Sequence, residues 1–370
     1  MAVRLLCPIT GSYHQDDCQF LLTPLWRHSQ NFSIYEKECL VQSGAKHYSE
    51  MISAELPPSV PYIALFRKLT QKYKSRMAAQ VMRLAYSIIN TRPDPITLVS
   101  LARAGTPIGA LLQRALSRHL HVESRHYSIS IIRDRGIDEQ ALAFLLREHQ
   151  RSASGVVFID AWTGKGVIAK ELKRAIAYWN SRHSEQLQDS LYVISDVAGV
   201  ADVAATYEDY AIPSGMLNAT VSGLVSRSIL NSQIHPGQFH GCIVYDYLQP
   251  YDLSNWFLDE VESQMDTTKD AAPLSLRSRK QHHIQAQANV YFDRWIKQYG
   301  IRSIHHIKPG IAEATRVMLR RVPERLLLRD LESDDLAHLL MLAKEKEIAI
   351  EHQPNMPFSA VAFIKTIGKN

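Results

Sequence analysis

The chain has 370 residues, a length that fits two or three domains, and its 46% hydrophobic and 21% charged residues are typical of a globular protein. No apolar run reaches the roughly 18–20 residues of a membrane span, and residues 1–8 are too short an apolar stretch for a signal peptide. We therefore expect a cytoplasmic protein without membrane contact. The four cysteines lack Cys-x-x-Cys spacing and are expected to be reduced thiols, neither a disulfide framework nor a zinc site.

The net charge of +5 is unevenly distributed along the chain. Residues 277–321 contain ten Lys or Arg and two acids, so this segment carries +8 and the rest carries −3. A basic segment of this kind predicts an anionic partner such as RNA, with a solvated basic face as the alternative.

Residues 1–90 are predicted to form an accessory region ahead of a repeating unit. Glu38, His47 and Glu50 have the groups that acid–base chemistry needs, although such groups also form satisfied polar networks. A proline-rich break at residues 57–61 precedes apolar residues at helical spacing over residues 62–90.

Strand and helix patterns alternate after residue 91. Strands are predicted at residues 96–101, 127–132, 156–159 and 191–195, and helices at 108–120 and 139–150. Repeated βα units predict an α/β fold with a parallel sheet, whose ligands bind at the carboxyl ends of the strands. Loops 102–107, 133–138, 160–166 and 196–199 are therefore expected on one rim, with Arg103, Arg133 and Asp160 around one cleft.

The loop over residues 160–166 has the composition of a phosphate site. Asp160 follows an apolar strand, and Thr163, Gly164, Lys165 and Gly166 precede a helical pattern. A strand, a loop of small residues and a helix bring backbone N–H groups and a helix N-terminus towards a phosphate. The loop is neither a Walker A motif nor a dinucleotide fingerprint, and an ordinary βα turn is the alternative.

Two later segments complete the pattern. Residues 241–247 are predicted as a late strand that contains Cys242 close to His240. A catalytic thiol must be accessible and have a low pKa, so we expect this strand cysteine to be a small buried hydrophobe. Residues 263–284 are polar, lack periodicity and are predicted to be a linker.

Six runs carry a family resemblance: residues 11–13, 47–51, 98–109, 128–138, 162–166 and 223–227. They resemble the type I phosphoribosyltransferase-related proteins of bacterial tellurium-resistance and stress operons, a family also described as cysteine protease StiP-like. The resemblance implies a parallel phosphoribosyltransferase-like core over residues 91–262 and an N-terminal hood over residues 1–90. It implies an enzyme acting on phosphoribosyl pyrophosphate or a nucleotide-like substrate in a stress response. A cysteine protease or hydrolase and a non-catalytic phosphoribosyl-ligand sensor are the alternatives.

The resemblance also implies roles for individual residues. Thr163, Gly164, Lys165 and Gly166 would hold the 5-phosphate, and Asp160 would face the ribose. Pyrophosphate would bind Ala102, Arg103, Ala104, Gly105 and Thr106, with Arg133 and Arg135 closing over it and Mg²⁺ arriving with the substrate. Many family members have a second acid after the first, whereas Ala161 and Trp162 follow Asp160 here. This difference leaves the catalytic activity open.

Five runs of the last part of the chain carry a second resemblance: residues 308–316, 325–330, 335–343, 348–350 and 360–364. Residues 285–370 resemble the α-β-α RNA-binding domain shared by pelota and ribosomal L7Ae proteins. The resemblance implies that Gly310, Glu313, Thr315, Arg316 and Arg320 contact RNA, from a turn that opens a helix. The alternative is a domain that packs against the enzyme or docks a protein. A homodimer is left open as the assembly.

Overall fold

The computed structural model describes residues 6–25, 32–266, 274 and 279–367. Its strands are β1 (Gln19–Leu21), β2 (Thr23–Pro24), β3 (Ile96–Leu101), β4 (Ser124–Ile129), β5 (Ile131–Ile132), β6 (Gly136–Ile137), β7 (Val156–Thr163), β8 (Leu191–Asp196), β9 (Val203–Thr206), β10 (Gly241–Cys242), β11 (Ile307–Pro309), β12 (Pro323–Leu328), β13 (Ala349–His352) and β14 (Ala360–Ile364). Its α-helices are α1 (Ile34–Gln42), α2 (Val60–Thr91), α3 (Thr106–Arg114), α4 (Glu139–Ala143), α5 (Val167–Asn180), α6 (Ser254–Glu262), α7 (Arg279–Tyr299), α8 (Ile311–Arg320) and α9 (Ala337–Glu345). None of these helices has the length and apolar character needed to cross a membrane.

The central sheet contains six parallel strands in the order β1-β4-β3-β7-β8-β9. Alternate residues of each strand enter two different cores, because successive side chains of a strand point to opposite faces. Leu98, Val157 and Ile194 share one core with α2 and α3, whereas Val99 and Phe158 share the other with α4 and α5. The predicted α/β class with a parallel sheet is confirmed.

Several element boundaries differ from the prediction. The strand predicted over residues 156–159 continues to Thr163, because Trp162 and Thr163 pair with Ser195 and Asp196 of β8. Asp160 therefore lies inside β7 and not at its end. The helices predicted at 108–120 and 139–150 are α-helical only over α3 and α4, and each continues as a π-helical turn. The late strand predicted at 241–247 is reduced to β10.

Helix α2 is 32 residues long and forms where the apolar spacing predicted a helix. Ser59 precedes it in an extended conformation, and Pro61 occupies the first turn, where its missing N–H costs nothing. The helix ends at Thr91 because Arg92 precedes a proline and is extended. Its buried face packs on the core that also contains Leu98.

The predicted hood over residues 1–90 is not a unit separate from the core. Strand β1 pairs with β4 at the edge of the central sheet, and β2 pairs with β10. A buried ion pair ties the same segment to α3, since the two carboxylate oxygens of Asp17 accept from Nε and Nη2 of Arg114 at 2.9 and 2.6 Å. The N-terminal segment is therefore part of the sheet domain.

The C-terminal domain is an α-β-α sandwich around a sheet with the strand order β11-β14-β12-β13. Phe292 and Trp295 of α7 pack in one core with Leu327, while α8 and α9 pack with Leu326 and Ala362 in the other. This second core is continuous with that of α2 and α3, so the two domains share buried apolar surface.

The linker predicted over residues 263–284 is shorter than expected, because α7 begins at Arg279. The first turn of α7 is held by Gln281, whose amide donates to Asp196 Oδ2 at 2.9 Å. Residues 267–273 and 275–278 of the predicted linker lie outside the described residues.

The pair of Arg114 and Asp17 gives a stability prediction. Both side chains are almost fully buried, at 2% and 1% exposure, so Arg114→Met would leave the carboxylate of Asp17 with Arg118 Nη2, at 3.0 Å, as its remaining cationic partner among the described residues. We expect the free energy of unfolding to fall by about 3–5 kcal/mol, measured by urea denaturation. The control is Arg125→Met, which breaks the exposed 3.6 Å pair with Asp16 and should change stability by less than about 0.5 kcal/mol. Equal effects of the two substitutions would contradict the prediction.

Candidate functional site

The loops after β3 and β7 lie side by side at the point where the strand order reverses. β3 pairs with β4 on one side and with β7 on the other, which is where open α/β sheets bind ligands. The two loops touch at Gly105, where a Cβ would lie 2.6 Å from the carbonyl oxygen of Ile159, so that glycine is required. The surface between loop 102–106, loop 160–166 and residues 308–320 is called the interdomain cleft below.

The predicted pyrophosphate loop presents one charged side chain to this cleft. Arg103 follows a cis peptide bond with Ala102 and is only 4% exposed. Its Nη1 donates to Glu55 Oε1 at 2.6 Å, whereas its Nη2 has no hydrogen-bond partner among the described residues. The hydroxyl of Thr106 bonds to Ser128 at 2.7 Å inside the core, so this predicted contact faces away from a ligand.

The predicted 5-phosphate loop is covered by the C-terminal domain. Thr163 donates its hydroxyl to Asp196, and Lys165 donates to the carbonyl oxygens of Ile304 and Ile307. A Cβ on Gly164 would lie 3.3 Å from Glu313 Cγ, so the C-terminal domain lies directly on the loop. Thr163 and Lys165 are therefore not free to hold a phosphate in this structure, contrary to the prediction.

A carboxylate from the C-terminal domain occupies the interdomain cleft. Glu313 accepts from Trp162 Nε1 at 3.1 Å and from Arg316 Nη1 at 2.9 Å, and Lys308 Nζ lies 3.9 Å away. Burial raises the pKa of Glu313, but Arg316, Lys308 and the indole outweigh it and hold this pKa at about 2. The guanidinium of Arg316 also lies 5.8 Å from the centre of the Trp162 ring.

The residues predicted to bind RNA are buried or partly buried by contacts within the chain, and Arg316 keeps 36% of its side chain exposed. The N–H of Ile311, at the start of α8 after Gly310, donates to Asp209 Oδ1 at 2.9 Å. The helix N-terminus that was expected to be free for RNA phosphate is therefore capped within the chain. Thr315 is fully buried and bonds to His338, and Arg320 donates to Asn218.

Asp160 lies beside this cluster, on β7. Its carboxylate accepts from the N–H of Ala161 at 2.8 Å. Burial raises the pKa of Asp160 to about 7, against the lowering effects of that N–H and of Arg316. A carboxyl group with a pKa near neutrality can hold or release a proton at the working pH of a cell.

Arg133 reaches the same rim and Arg135 does not. The N–H of Arg133 donates to the Tyr48 hydroxyl at 2.9 Å, and its guanidinium lies 5.3 Å from the Tyr48 ring. The pKa of Lys308 is lowered to about 8. Burial is the largest cause, and Arg321, Arg316 and Arg133 act in the same direction, against the opposing effect of Glu313. Arg135 instead pairs with Glu50.

The three residues of the N-terminal acid–base cluster do not come together. Glu38 accepts from Arg321 at 2.6 and 2.7 Å, His47 bonds to Ser49, and Glu50 pairs with Arg135. Each residue has its own partner, but Nε2 of His47 is buried without a hydrogen-bond partner among the described residues, so neither an acid–base cluster nor a fully satisfied network is formed.

All four cysteines lie in the described part of the chain and are free. Cys18 and Cys242 are fully buried, and burial raises the pKa of the Cys242 thiol to about 12. The structural interpretation of Cys242 is confirmed, and His240 bonds to Ser130 at 2.7 Å. Cys39 is partly exposed and Cys7 is exposed. No described histidine is hydrogen-bonded to a cysteine thiol.

Within residues 6–25, 32–266, 274 and 279–367, no three His, Cys, Asp or Glu side chains form a group that could hold a metal ion. Mg²⁺ that arrives with a pyrophosphate substrate needs few protein ligands, and Asp160 and Glu313 are the acids beside the cleft.

Sequence analysis missed several residues of the site. Lys37, Glu55 and Asp209 carry no motif, and their positions depend on contacts between distant segments. Lys308 was predicted within the basic segment as an RNA contact, and not as a residue of this cleft. Arg227 is the last residue of the run 223–227, which carries the family resemblance, and that run could have identified it. It lies 5.5 Å from the Tyr48 ring that also contacts Arg133.

The fold and the site define a two-domain α/β protein in which the C-terminal domain closes a cationic cleft at the end of a parallel sheet. A family model described as tellurite-like stress resistance cysteine protease StiP matches residues 11–262, and the PELOTA RNA binding domain matches residues 286–366. A protein of Acinetobacter baylyi (strain ATCC 33305 / BD413 / ADP1) named cysteine protease StiP is 38% identical over 372 aligned positions, which cover 97% of this chain and 95% of the relative. The chain belongs to the StiP family.

Solved structures give only a slight likeness. The hypoxanthine phosphoribosyltransferase of Trypanosoma cruzi is 18% identical, with a TM-score of 0.27 over 37% of this chain and 77% of that one. The same enzyme in complex with the product IMP is 19% identical, with a TM-score of 0.26 over 37% of this chain and 72% of that one. TM-scores this low carry no argument about architecture or activity.

The raised pKa of Asp160 gives a prediction about pH. An unfolded aspartate releases its proton near pH 3.9, whereas folded Asp160 holds it up to about pH 7. The contribution of this group to stability is therefore present below the lower pKa and is lost as the pH rises through the higher one. In urea denaturation, Asp160→Asn should gain stability relative to the unmodified chain between about pH 4 and pH 7 and then level off.

The exposed Asp293→Asn is the control for this measurement. Its stability should follow that of the unmodified chain across the same pH range. If Asp160→Asn also follows the unmodified chain, the carboxyl group of Asp160 titrates as an ordinary exposed acid and the prediction is wrong.

Proposed function

We propose that this protein is a phosphoribosyltransferase-like enzyme that binds phosphoribosyl pyrophosphate, or a nucleotide-like phosphoester, in the interdomain cleft. The proposal depends on one observation: the position of Glu313. A carboxylate lies where the loop after β7 meets cations from both domains, and Trp162, Arg316 and Lys308 surround it. A site that stabilises an anion supplied by the chain itself can exchange that anion for a phosphate oxygen.

The reaction would be a substitution at C1′ of the ribose. The bond between C1′ and the pyrophosphate oxygen breaks, pyrophosphate leaves with the bonding electron pair, and a nucleophile bonds to C1′. The developing negative charge on the leaving group would be stabilised by Arg103, Arg316 and Lys308, which surround the cleft. Asp160, with a pKa of about 7, would accept hydrogen bonds from the ribose hydroxyls when ionised. Mg²⁺ would enter as part of the pyrophosphate substrate.

The proposal requires Glu313 to leave its place when the ligand binds. In the present arrangement Lys165 is bound to carbonyl oxygens of residues 304 and 307, and Gly164 lies beneath Glu313. Binding would therefore move the C-terminal domain away from the loop, and the ligand would replace the carboxylate on Arg316 and Lys308.

This exchange predicts opposite effects of two substitutions. Glu313→Gln removes the competing anion but keeps its shape, so affinity for phosphoribosyl pyrophosphate with Mg²⁺ should rise by roughly tenfold. Lys308→Met removes a cation that the ligand would contact, so affinity should fall by a similar factor. Isothermal titration calorimetry on the full chain measures both, and the exposed Glu324→Gln is the matched control.

No binding by the unmodified chain or by Glu313→Gln would overturn the proposal. Release of pyrophosphate on addition of nucleobases would support the enzyme, and binding without any turnover would favour the phosphoribosyl-ligand sensor.

A cysteine hydrolase is the second candidate, and the description of the family favours it. In this structure it would have to use Cys7 or Cys39, because Cys18 and Cys242 are buried and burial raises their pKa values. A Cys7→Ser/Cys39→Ser double variant would lose any peptidase activity of the purified chain if this candidate is right. Peptidase activity that survives in the double variant would exclude Cys7 and Cys39 as the nucleophile and contradict this candidate.

RNA is proposed as a partner of the C-terminal domain because that domain matches the PELOTA RNA binding domain. The turn at residues 310–316 is covered in this structure, so the first contact would be made by exposed basic residues on and after α7. These are Lys280, Arg294, Lys297 and Arg302. A helix face with several Lys and Arg residues binds phosphate without base specificity.

The RNA proposal is tested by fluorescence anisotropy of the full chain with a structured RNA at two salt concentrations. Arg294→Glu/Lys297→Glu should lower the affinity by roughly tenfold or more and flatten its dependence on salt. Arg316→Glu should have a smaller effect, because Arg316 contacts Glu313 and Trp162 within the chain. Binding that is indifferent to the α7 variant and abolished by Arg316→Glu would show that RNA uses the covered turn instead.

A further inference from the structure

A second and larger site lies beside the interdomain cleft. It is a cavity of about 770 Å³, within the range of roughly 300–1,000 Å³ that small-molecule sites occupy. Three separate parts of the chain form it. They are α1 with residues 52–59, the loop after β3 with residues 216–227, and helices α8 and α9. It is called the three-part cavity below.

One wall of the three-part cavity is cationic. Lys37, Arg103, Arg227 and Arg320 line it. Glu55 and Glu345 are the acids in the lining, and Lys346 adds a fifth cation; the two oxygens of Glu55 already accept from Arg103 at 2.6 Å and from the N–H of Ala219 at 2.9 Å. The wall therefore has more positive charge than its own acids can balance.

Two guanidinium nitrogens of this wall have no hydrogen-bond partner among the described residues. They are Nη2 of Arg103 and Nε of Arg320. Arg103 is only 4% exposed, and a buried N–H without an acceptor costs about 1–3 kcal/mol, more for a charged group. Burial and then the neighbouring Arg103 hold the pKa of Arg320 well below its usual range. An acceptor from outside the chain would remove both costs.

Lys37 adds a third donor from the N-terminal segment. Its ammonium donates to Ser53 Oγ at 3.1 Å and has further donors left for a ligand. The pKa of Lys37 is lowered to about 7. Burial is the largest cause, and Arg227, Arg321 and Arg320 act in the same direction, against the opposing effect of Glu38. An anion placed among these groups would stabilise the protonated lysine.

Another part of the wall of the three-part cavity is apolar. Tyr62, Met216, Leu319 and Leu342 line it. The Tyr62 hydroxyl is already bonded to the carbonyl oxygen of Met216 at 2.9 Å. A ligand that matches both walls has a compact dianionic group at one end and an apolar or aromatic body at the other.

We propose that the three-part cavity binds a phosphomonoester with an apolar or aromatic body, about the size of a mononucleotide. The phosphate contacts Arg103, Arg320 and Lys37, and the body lies against Tyr62 and Leu342. This site is distinct from the loop after β7 and does not depend on the proposed enzyme activity, although Arg103 and Arg320 border both. Because α8 and α9 form part of its wall, its ligand binds only while the two domains are docked.

The test is calorimetry on the full chain with four probes: adenosine 5′-monophosphate, hexyl phosphate, inorganic phosphate and adenosine. The two phosphomonoesters should bind, inorganic phosphate more weakly, and adenosine roughly a hundredfold more weakly than its monophosphate. Adenosine that binds as tightly as its monophosphate would overturn the proposal, because the cationic wall would then contribute nothing.

Substitutions locate the ligand. Lys37→Gln and Arg320→Gln should each lower the affinity for hexyl phosphate by roughly tenfold or more. Lys344→Gln, on the exposed side of α9, is the control and should leave it unchanged. Lys37→Gln also reduces the repulsion among the clustered cations, so the Tm of the ligand-free chain should rise or stay the same. Unchanged affinity in both cavity variants would overturn the proposal.

A third variant separates this inference from the proposed function. Lys308→Met changes the cleft but does not line the three-part cavity. If hexyl phosphate binding falls with Lys308→Met and not with Lys37→Gln, the ligand occupies the cleft, and the inference fails while the proposed function stands. The reverse pattern supports the three-part cavity whether or not phosphoribosyl pyrophosphate binds.

Discussion

The arrangement of the two domains depends on one carboxylate, that of Asp209. Its two oxygens accept from the N–H of Ile311 at 2.9 Å and from the N–H of Ser359 at 2.7 Å. Burial raises the pKa of Asp209 to about 6, although both N–H groups favour the ionised form. A single residue of the sheet domain thus caps the N-terminus of α8 and also holds the residue before β14. This contact sets the position of α8 over the loop after β7, and Glu313 reaches Trp162 as a consequence.

Docking of α8 concentrates positive charge between the domains. Lys308 and Arg316 join Lys165 and Arg133 on one side, and Arg320 joins Arg103 and Arg227 on the other. Few acids oppose them, and each is already paired: Glu313 with Arg316, Glu55 with Arg103 and Glu38 with Arg321. Buried like charges raise the free energy of the docked state, so an anionic ligand in the three-part cavity, whose wall includes α8 and α9, would also favour docking.

Sequence patterns predicted the elements whose signals are local. The strand over residues 96–101 is rich in apolar and β-branched residues, and α2 has helical spacing and a proline at each end, so both were predicted well. The end of β7 was wrong because pairing with β8, a distant segment, extends it to Thr163. The loops of the site were predicted from the order of βα units. No local pattern shows that Glu313, which is about 150 positions later in the chain, lies on Gly164.

The basic segment over residues 277–321 illustrates the same limit with a functional consequence. Composition alone assigns one anionic partner to it, whereas the structure divides it between two environments. Arg294 and Lys297 lie exposed on α7, and Lys308, Arg316 and Arg320 face the sheet domain. Exposed cations retain their hydration and can meet a large polyanion, while cations in a closed cleft can meet only a small anion that enters it. Under the two proposals, one basic segment would serve two classes of ligand, and the docking of α8 would decide which of its residues serves each.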